Sequence, residues 1–292
     1  SGGIPLALTA TTLQAWMKAE NVDLTLIGLF SLVGLPYTLK FLWAPIMDRF
    51  SLPFLGRRRG WLVTTQMLLT ISICFISVLN PATQPMLIAA AAVCVAFFSA
   101  SQDIVIDAYR TELLSAEELG AGAGVYVMGY RIAMLVSGAL ALILADHISW
   151  RAVYLIMAST IAVGIVASLI GNEPDVTISQ PRNLREAVID PLYEFLSRKG
   201  AFEILVFLII YKLDAALTTA MMTPFMLELG FSKTDIGAVT KGFGMIATIC
   251  GTLFGGAMMV RLGIKASLWI FGITQALAGF SFMALAHIGH SY

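Results

Sequence analysis

Charge is scarce in this sequence. Asp, Glu, Lys and Arg make up 12% of its 292 residues, and 18 bases balance 18 acids to a formal net charge of zero. That excludes an electrostatic grip on nucleic acid. Cysteine is rarer still. Cys74, Cys94 and Cys250 are odd in number, widely spaced and set inside apolar runs. Such a pattern supports neither a disulfide framework nor a zinc site, and buried apolar packing is expected for all three. His147, His287 and His290 lie at expected helix ends and lack ligand spacing, so no metal is implied. No nucleophile, base or metal cluster occurs at workable spacing, which leaves an enzyme the least supported class. A secretory leader pattern is also missing. The chain opens at Ser1 inside one apolar segment and stops at Tyr292 just past another, and is read as a fragment cut at both ends.

What the sequence has is apolar length. Hydrophobic residues account for 58% of it, and the mean hydropathy is +0.85. A bilayer core needs about 20 apolar residues per helix. Segments 26–46, 61–79, 85–107, 121–145, 151–170, 202–226, 235–258 and 267–287 meet that need, and 1–17 is a shorter one, giving nine expected spans. The loops after even-numbered spans hold eleven Lys and Arg, against Lys18, Arg151 and Lys233 in the others. The positive-inside rule then puts the even-numbered loops and the N-terminus in the cytoplasm. Segment 171–201 is polar and long. Leu184, Val188, Leu192 and Phe195 recur there at helical spacing, which predicts a surface helix joining two halves.

The halves echo each other. At an offset of 209, stretch 7–30 matches 216–239 at Ala7/Ala216, Leu8/Leu217, Thr9/Thr218, Met17/Met226, Thr25/Thr234, Ile27/Ile236 and Gly28/Gly237. Span 1 therefore corresponds to span 7 in the same orientation. Two parallel six-helix repeats, with substrate bound near the midplane between them, are the expected all-α membrane architecture. The domains are read as 1–170 for a six-helix bundle, 171–201 for the connector and 202–292 for the first three helices of a second bundle. The loop "APIMDRFSLPFLGRRRG", 44–60, resembles the signature loop of the major facilitator superfamily, with "GGAMMVRLGIKAS", 255–267, as its weaker counterpart. Ala44 stands where that signature has Gly, "SLPF" is inserted before Gly56, and Val260 replaces the acid at Asp48.

Some charges sit where lipid should be. An Asp at mid-membrane costs roughly 2.5–3.5 kcal/mol on insertion scales, so a chain that keeps one generally uses it. At 1.5 Å per residue, Tyr37 lies about 16 Å and Lys40 about 21 Å into span 2, and Arg131 about 15 Å into span 5. Lys212 and Asp214 lie about 15–18 Å into span 7. Three cations against one acid at mid-depth favour an anionic substrate. Two other readings stand beside that one: Lys212 and Asp214 neutralising each other, and Arg131 bracing helices. In "SASQDIVIDAYR", 99–110, Asp103, Asp107 and Arg110 follow i, i+4, i+7 and share a face. Asp107 and Arg110 are deep enough to meet the Asp48–Arg49 loop as a cytoplasmic charge latch, with Arg58 beside them. Asp103 divides between latch and proton carrier, and Gln102 is turned toward a cavity. Tyr126 and Tyr130, at i, i+4 next to Arg131, form either a platform for sugar rings or ordinary packing. Gly120 and Gly124 favour close helix contact. The Gly-Pro pair of many drug/proton antiporters is missing from this span.

Five stretches, "SLVGLPYTLKFLWAPIMDR" (31–49), "FFSASQDIVIDAYRTELL" (97–114), "GYRIAMLVSGALALILADH" (129–147), "WRAVYL" (150–155) and "GFSKTDIGAV" (230–239), resemble the AmpG-type muropeptide permeases, in order along nearly the whole chain. The resemblance implies import of anhydro-muropeptides (GlcNAc linked to 1,6-anhydroMurNAc, with or without peptide) across the bacterial inner membrane for peptidoglycan recycling. It also implies a role in β-lactamase induction. The implied protein is a monomer in the lipid bilayer, driven by the proton gradient with no cofactor. Tyr37, Lys40, Gln102, Tyr126, Tyr130, Arg131 and Lys212 would hold substrate, and Asp103 or Asp214 would carry the proton. Asp48, Arg49, Arg58, Asp107 and Arg110 would gate. Asp214 stands where the family is expected to have Gly, with the acid one place later. A related facilitator for another anion such as acetyl-CoA, and a transport-dead membrane sensor, are the competing readings.

Overall fold

A computed structural model describes residues 2–174, 185–231, 236 and 238–288, with Leu24, Ala187, 214–216, 219–221, 223–224, 238, 240 and 241 described by backbone alone. The secondary structure of the described residues is helical, with no strand among them. The chain divides into two compact units, Ser1–Ser115 with Tyr126–Val188, and Ala116–Val125 with Ile189–Tyr292.

The first unit opens with α1 (Gly3–Ala7), a π-helical turn (Leu8–Thr12) and α2 (Leu13–Ala19), which run on as one helix. The next expected span is not one helix. It is α3 (Leu24–Leu29), a 3-10 stretch (Phe30–Gly34), α4 (Leu35–Leu39), a second 3-10 turn (Lys40–Leu42) and α5 (Ala44–Arg49). Pro36 and Pro45 sit in the first turns of α4 and α5. Each lacks an amide N–H and clashes with the turn before it, so the helix restarts there. Long helices follow: α6 (Arg57–Ser77), α7 (Pro85–Leu113), α8 (Leu119–Leu135) continued by a π turn (Val136–Leu140) and α9 (Ala141–Ala145), and α10 (Trp150–Ile170).

α6 packs along both α7 and α10. Leu69, Ile73 and Ile76 from α6 meet Ile88 and Val95 from α7 and Met157 and Ile161 from α10, all almost fully buried. The opening helix is tied in by polar contacts: Thr12 donates to the Ser137 carbonyl at 2.8 Å, and the Tyr154 hydroxyl to the Leu8 carbonyl at 3.2 Å. Both carbonyls lie in π turns, where the helical ladder is locally widened. Trp16 stacks on Trp150 at 6.0 Å.

The second unit holds α11 (Asp190–Ser197), α12 (Ala201–Glu228) and α13 (Gly244–Ile288), together with the first two turns of α8. α13 is two helices joined at Gly263, whose φ of 75° breaks the ladder. Gly120 meets the Gly256 backbone and the Met259 side chain, and Gly124 meets the Thr252 and Leu253 backbone. A Cβ on Gly256 would stand 2.8 Å from the Gly120 carbonyl oxygen, so glycine is required there.

Six helical stretches among the described residues are long and apolar enough to cross a membrane: Thr25–Leu42, Arg57–Ser77, Pro85–Leu113, Leu119–Ala145, Trp150–Ile170 and Gly244–Ile288. Large apolar side chains stand outward on them, Ile71, Val163 and Ile170 among them. This outer surface corrects the expectation for cysteine. Cys74 is half-buried, while Cys94 and Cys250 are exposed, because the lipid face of a span is as apolar as its core. Within the expected connector the described residues hold α11, with Leu192, Tyr193 and Leu196 exposed. Leu184 of that expectation, like His290, lies outside the described residues.

Candidate functional site

α7 carries the polar groups, and it runs six residues past the expected end at 107, to Leu113. Ser99, Gln102 and Asp103 are buried on it, with Asp103 only 8% exposed. Three elements converge on Asp103. From the start of α1, Gly2 comes so near that a Cβ there would stand 3.1 Å from Asp103 Oδ1 and 3.9 Å from the Tyr126 hydroxyl. From α8, Tyr126 and Tyr130 face it with ring centroids 6.2 Å apart. From the broken span, Lys40 and Tyr37 bear on it electrostatically. Asp103 Oδ1, Tyr37 OH and Ser99 Oγ are buried and close no hydrogen bond among the described residues, although Tyr37 OH faces Ser99.

One turn along α7, Asp107 stands 3.9 Å from Lys40 Nζ and 3.5 Å from Arg110 Nη2. The Arg110 guanidinium lies over the Tyr126 ring at 5.2 Å. The broken backbone of the second span is what brings Lys40 here, since a 3-10 turn begins at Lys40 itself. Trp43 braces that turn by donating to Ser101 Oγ at 3.0 Å and by packing its ring 4.8 Å from Phe97.

A second, tighter network lies at the far end of α7. Arg58 reaches Asp48 at 2.7 Å and Glu112 at 2.5 Å, and Arg57 also reaches Glu112 at 2.5 Å. Glu173, from the loop after α10, accepts the Arg58 and Arg59 amide N–H groups at 2.7 and 3.0 Å, where the α6 dipole favours an anion. Arg59 answers at the opposite pole, donating to the Ser168 and Leu169 carbonyls at the end of α10. Tyr109 donates to the Asn172 carbonyl at 2.7 Å.

The expected link between α7 and the Asp48 loop is thus made, but not by the expected pair. Asp107 lies between Arg110 and Lys40, while Arg58 bridges Glu112 to Asp48. Glu112 falls one turn beyond 107, outside an apolar window, and the helix that carries it there has no turn residue to end it earlier. Arg49 lies over its neighbour Phe50 at 5.4 Å. Gln102, expected to face a cavity, is fully buried. Arg131 is half-buried and bears on Tyr130. Lys212 is exposed on α12 in the second unit, and the side chain of Asp214 lies outside the described residues.

The Major Facilitator Superfamily family model matches residues 3–292. The chain belongs to that superfamily. It is similar to the anhydromuropeptide permease of Escherichia coli K12, 49% identical over 98% of this chain and 59% of the relative. An uncharacterized protein of Haemophilus influenzae is 41% identical over 99% of this chain and 69% of its own length. The Rickettsia bellii chain designated AmpG 1 is 33% identical over 97% of this chain and 72% of its own. The chain therefore spans about three fifths of the length of the E. coli relative. As a facilitator-superfamily chain with six apolar helical stretches, it is a multi-pass membrane protein, and the AmpG-type resemblance read from its sequence holds along its length.

Proposed function

We propose that this protein is a carrier, not an enzyme, that imports anhydro-muropeptides into the cytoplasm of a bacterium by alternating access, coupled to an inward proton gradient. The observation that carries the substrate class is the 49% identity to a relative named as an anhydromuropeptide permease. The observation that favours proton coupling is Asp103, a buried membrane acid with one unpartnered oxygen, set between two tyrosines and a lysine. Gradient-driven carriers need a group that can be neutral in one state and charged in another, and a carboxyl in such surroundings is suited to it.

In this reading the protein lies in the inner membrane as a monomer with its N-terminus in the cytoplasm. Its transport feeds peptidoglycan recycling and the supply of ligands that induce β-lactamase. Tyr126 and Tyr130 offer faces to the sugar rings, with Tyr37, Lys40, Gln102, Arg131 and Lys212 as further substrate contacts. Asp103 carries the proton, with Asp214 the second acid to test. Asp48, Arg49 and Arg58 close the cytoplasmic end, and no cofactor takes part. The experiment is uptake of labelled GlcNAc-anhydroMurNAc-tripeptide by proteoliposomes, with and without an inward proton gradient. Gradient-stimulated accumulation supports the proposal, and no uptake by well-folded protein overturns it.

A further inference from the structure

Two ionic clusters lie on α7, and their geometry differs in kind. The Arg58 cluster has contacts of 2.5 and 2.7 Å around a guanidinium that is 5% exposed. Asp107, by contrast, is held at 3.5 Å by Arg110 and 3.9 Å by Lys40. Charge-assisted hydrogen bonds close at about 2.7–2.9 Å, so both contacts to Asp107 are long ones. Two cations are spread around one carboxylate that fully satisfies neither. Arg110 Nε is buried without a partner.

The surroundings let that carboxylate leave. The Asp107 side chain is 48% exposed, so it has room to turn away from the two cations. Lys40, at 36%, can be reached by a ligand. Arg110 does not depend on Asp107 for its position, because its guanidinium rests on the Tyr126 ring at 5.2 Å. Asp103 bears on Lys40 from the buried side and stays behind when Asp107 goes.

We infer that Lys40 and Arg110 form a carboxylate-binding pair for the ligand, and that Asp107 is its resident occupant, displaced when a ligand carboxylate arrives. This moves Asp107 and Arg110 from latch to binding site, and makes Asp107 a specificity element that raises the threshold for weakly anionic ligands. It rests on the muropeptide reading above, whose peptide supplies the carboxylates.

The test compares two probes in nanodiscs holding the intact protein: GlcNAc-anhydroMurNAc-tripeptide, and the same compound with its carboxyl groups amidated. Asp107→Asn removes the competitor and is expected to tighten binding of the acid about three- to tenfold while leaving the amide unchanged. Lys40→Gln and Arg110→Gln are expected to weaken the acid alone, and Lys40→Arg to restore it. The Lys40 variants carry the test if Arg110→Gln does not fold. If Asp107→Asn leaves the acid unchanged, or shifts both probes alike, the inference fails. Wild-type protein that binds both probes equally overturns the carboxylate pair and spares the muropeptide reading. Wild-type protein that binds neither overturns both.

Discussion

Arg58 donates to both carboxylate oxygens of Glu112, from Nη2 at 2.5 Å and from Nε at 3.0 Å. The guanidinium still has an edge free for Asp48 at 2.7 Å. One side chain thus joins the start of α6, the end of α7 and the end of α5. Only a planar fork with fixed donors can serve two carboxylates in this way.

Replacing Arg58 by Lys keeps the charge and loses the fork. A lysine makes one point contact in place of the fork, so the paired geometry on Glu112 goes and stability falls by at least the roughly 1.5–3 kcal/mol of one hydrogen bond to a charged group. Arg58→Ala removes every Arg58 contact to Glu112 and Asp48, leaving Arg57 as the cation on the 11% exposed Glu112, and is expected to cost about 3–5 kcal/mol. Thermal unfolding of the purified variants in one detergent checks the order Ala, Lys, wild type. Equal midpoints for Lys and wild type would sink the bidentate argument.

Glu173 gives a smaller effect by a related route. It caps the α6 N-terminus through two amide N–H groups, and no residue adjacent in sequence does so, since Gly56 offers no side chain. Glu173→Ala is expected to lower stability by about 1–2 kcal/mol. Glu173→Gln should retain part of this through its carbonyl oxygen. A drop in the unfolding midpoint that is the same for both would show that only the charge matters.

Much of this arrangement was legible in the sequence, and what was not has physical causes. Apolar runs of about 20 residues located the long helices α6, α7 and α10, because length and hydropathy are what a bilayer selects. Asp103, Lys40 and the tyrosine pair stood out for the same reason, as exceptions inside those runs. Two things stayed hidden. Periodicity places a residue on a helix face only while the helix is regular, and the prolines at 36 and 45 break the second span where Lys40 must turn inward. Hydropathy also ends a span at its first charges. Glu112 and Glu173 lie just outside such windows, so the partners of the Arg57–Arg59 cluster emerge only from the fold.

The opening helix makes its closest approach through Gly3. A Cβ there would sit 2.3 Å from the Tyr130 carbonyl oxygen and 3.2 Å from Ala133 Cβ. Backbone atoms cannot step aside as a side-chain tip can, so Gly3→Ala must push α1 off α8 and displace Tyr130 from Asp103. Gly28 is the control, with nothing within 4 Å of the added carbon. Gly28→Ala is expected to leave unfolding unchanged or to raise its midpoint, because alanine is the better helix former. Gly3→Ala should lower both the midpoint and ligand binding, and normal binding by this variant would contradict the packing described.

Acid should loosen the turn before the second span. Asp23 Oδ1 accepts the Thr25 and Leu26 amide N–H groups at 2.8 and 3.3 Å, capping α3. Hydrogen bonds from the Thr25 side chain, then from the Thr25 and Leu26 backbones, hold its pKa below the usual 3.8. A lowered folded pKa means that the cap's contribution is present above 3.8 and fades as pH falls through the lower folded value. Asp23→Asn keeps an acceptor without the titration. Hydrogen exchange at Thr25 and Leu26 should speed up in wild type below that range, relative to Asp23→Asn, and a parallel pH dependence in both proteins would exclude Asp23 as the cause.

Asp103→Asn separates a proton carrier from a structural acid. A buried carboxylate that held the fold together would have its oxygens paired, as Glu112 does, and its loss would destabilise. Asp103 Oδ1 has no such partner, and the amide of Asn keeps an oxygen that can accept from Tyr126 while removing a buried charge. The expected midpoint of unfolding is equal to or above that of wild type. Gradient-driven accumulation of muropeptide should fall to the level seen without a gradient, while exchange of labelled for unlabelled ligand, which needs no net proton movement, persists. If exchange and accumulation fall together, Asp103 serves substrate binding itself. If accumulation survives, the proton travels by another acid, and Asp214 on α12 is the next to replace.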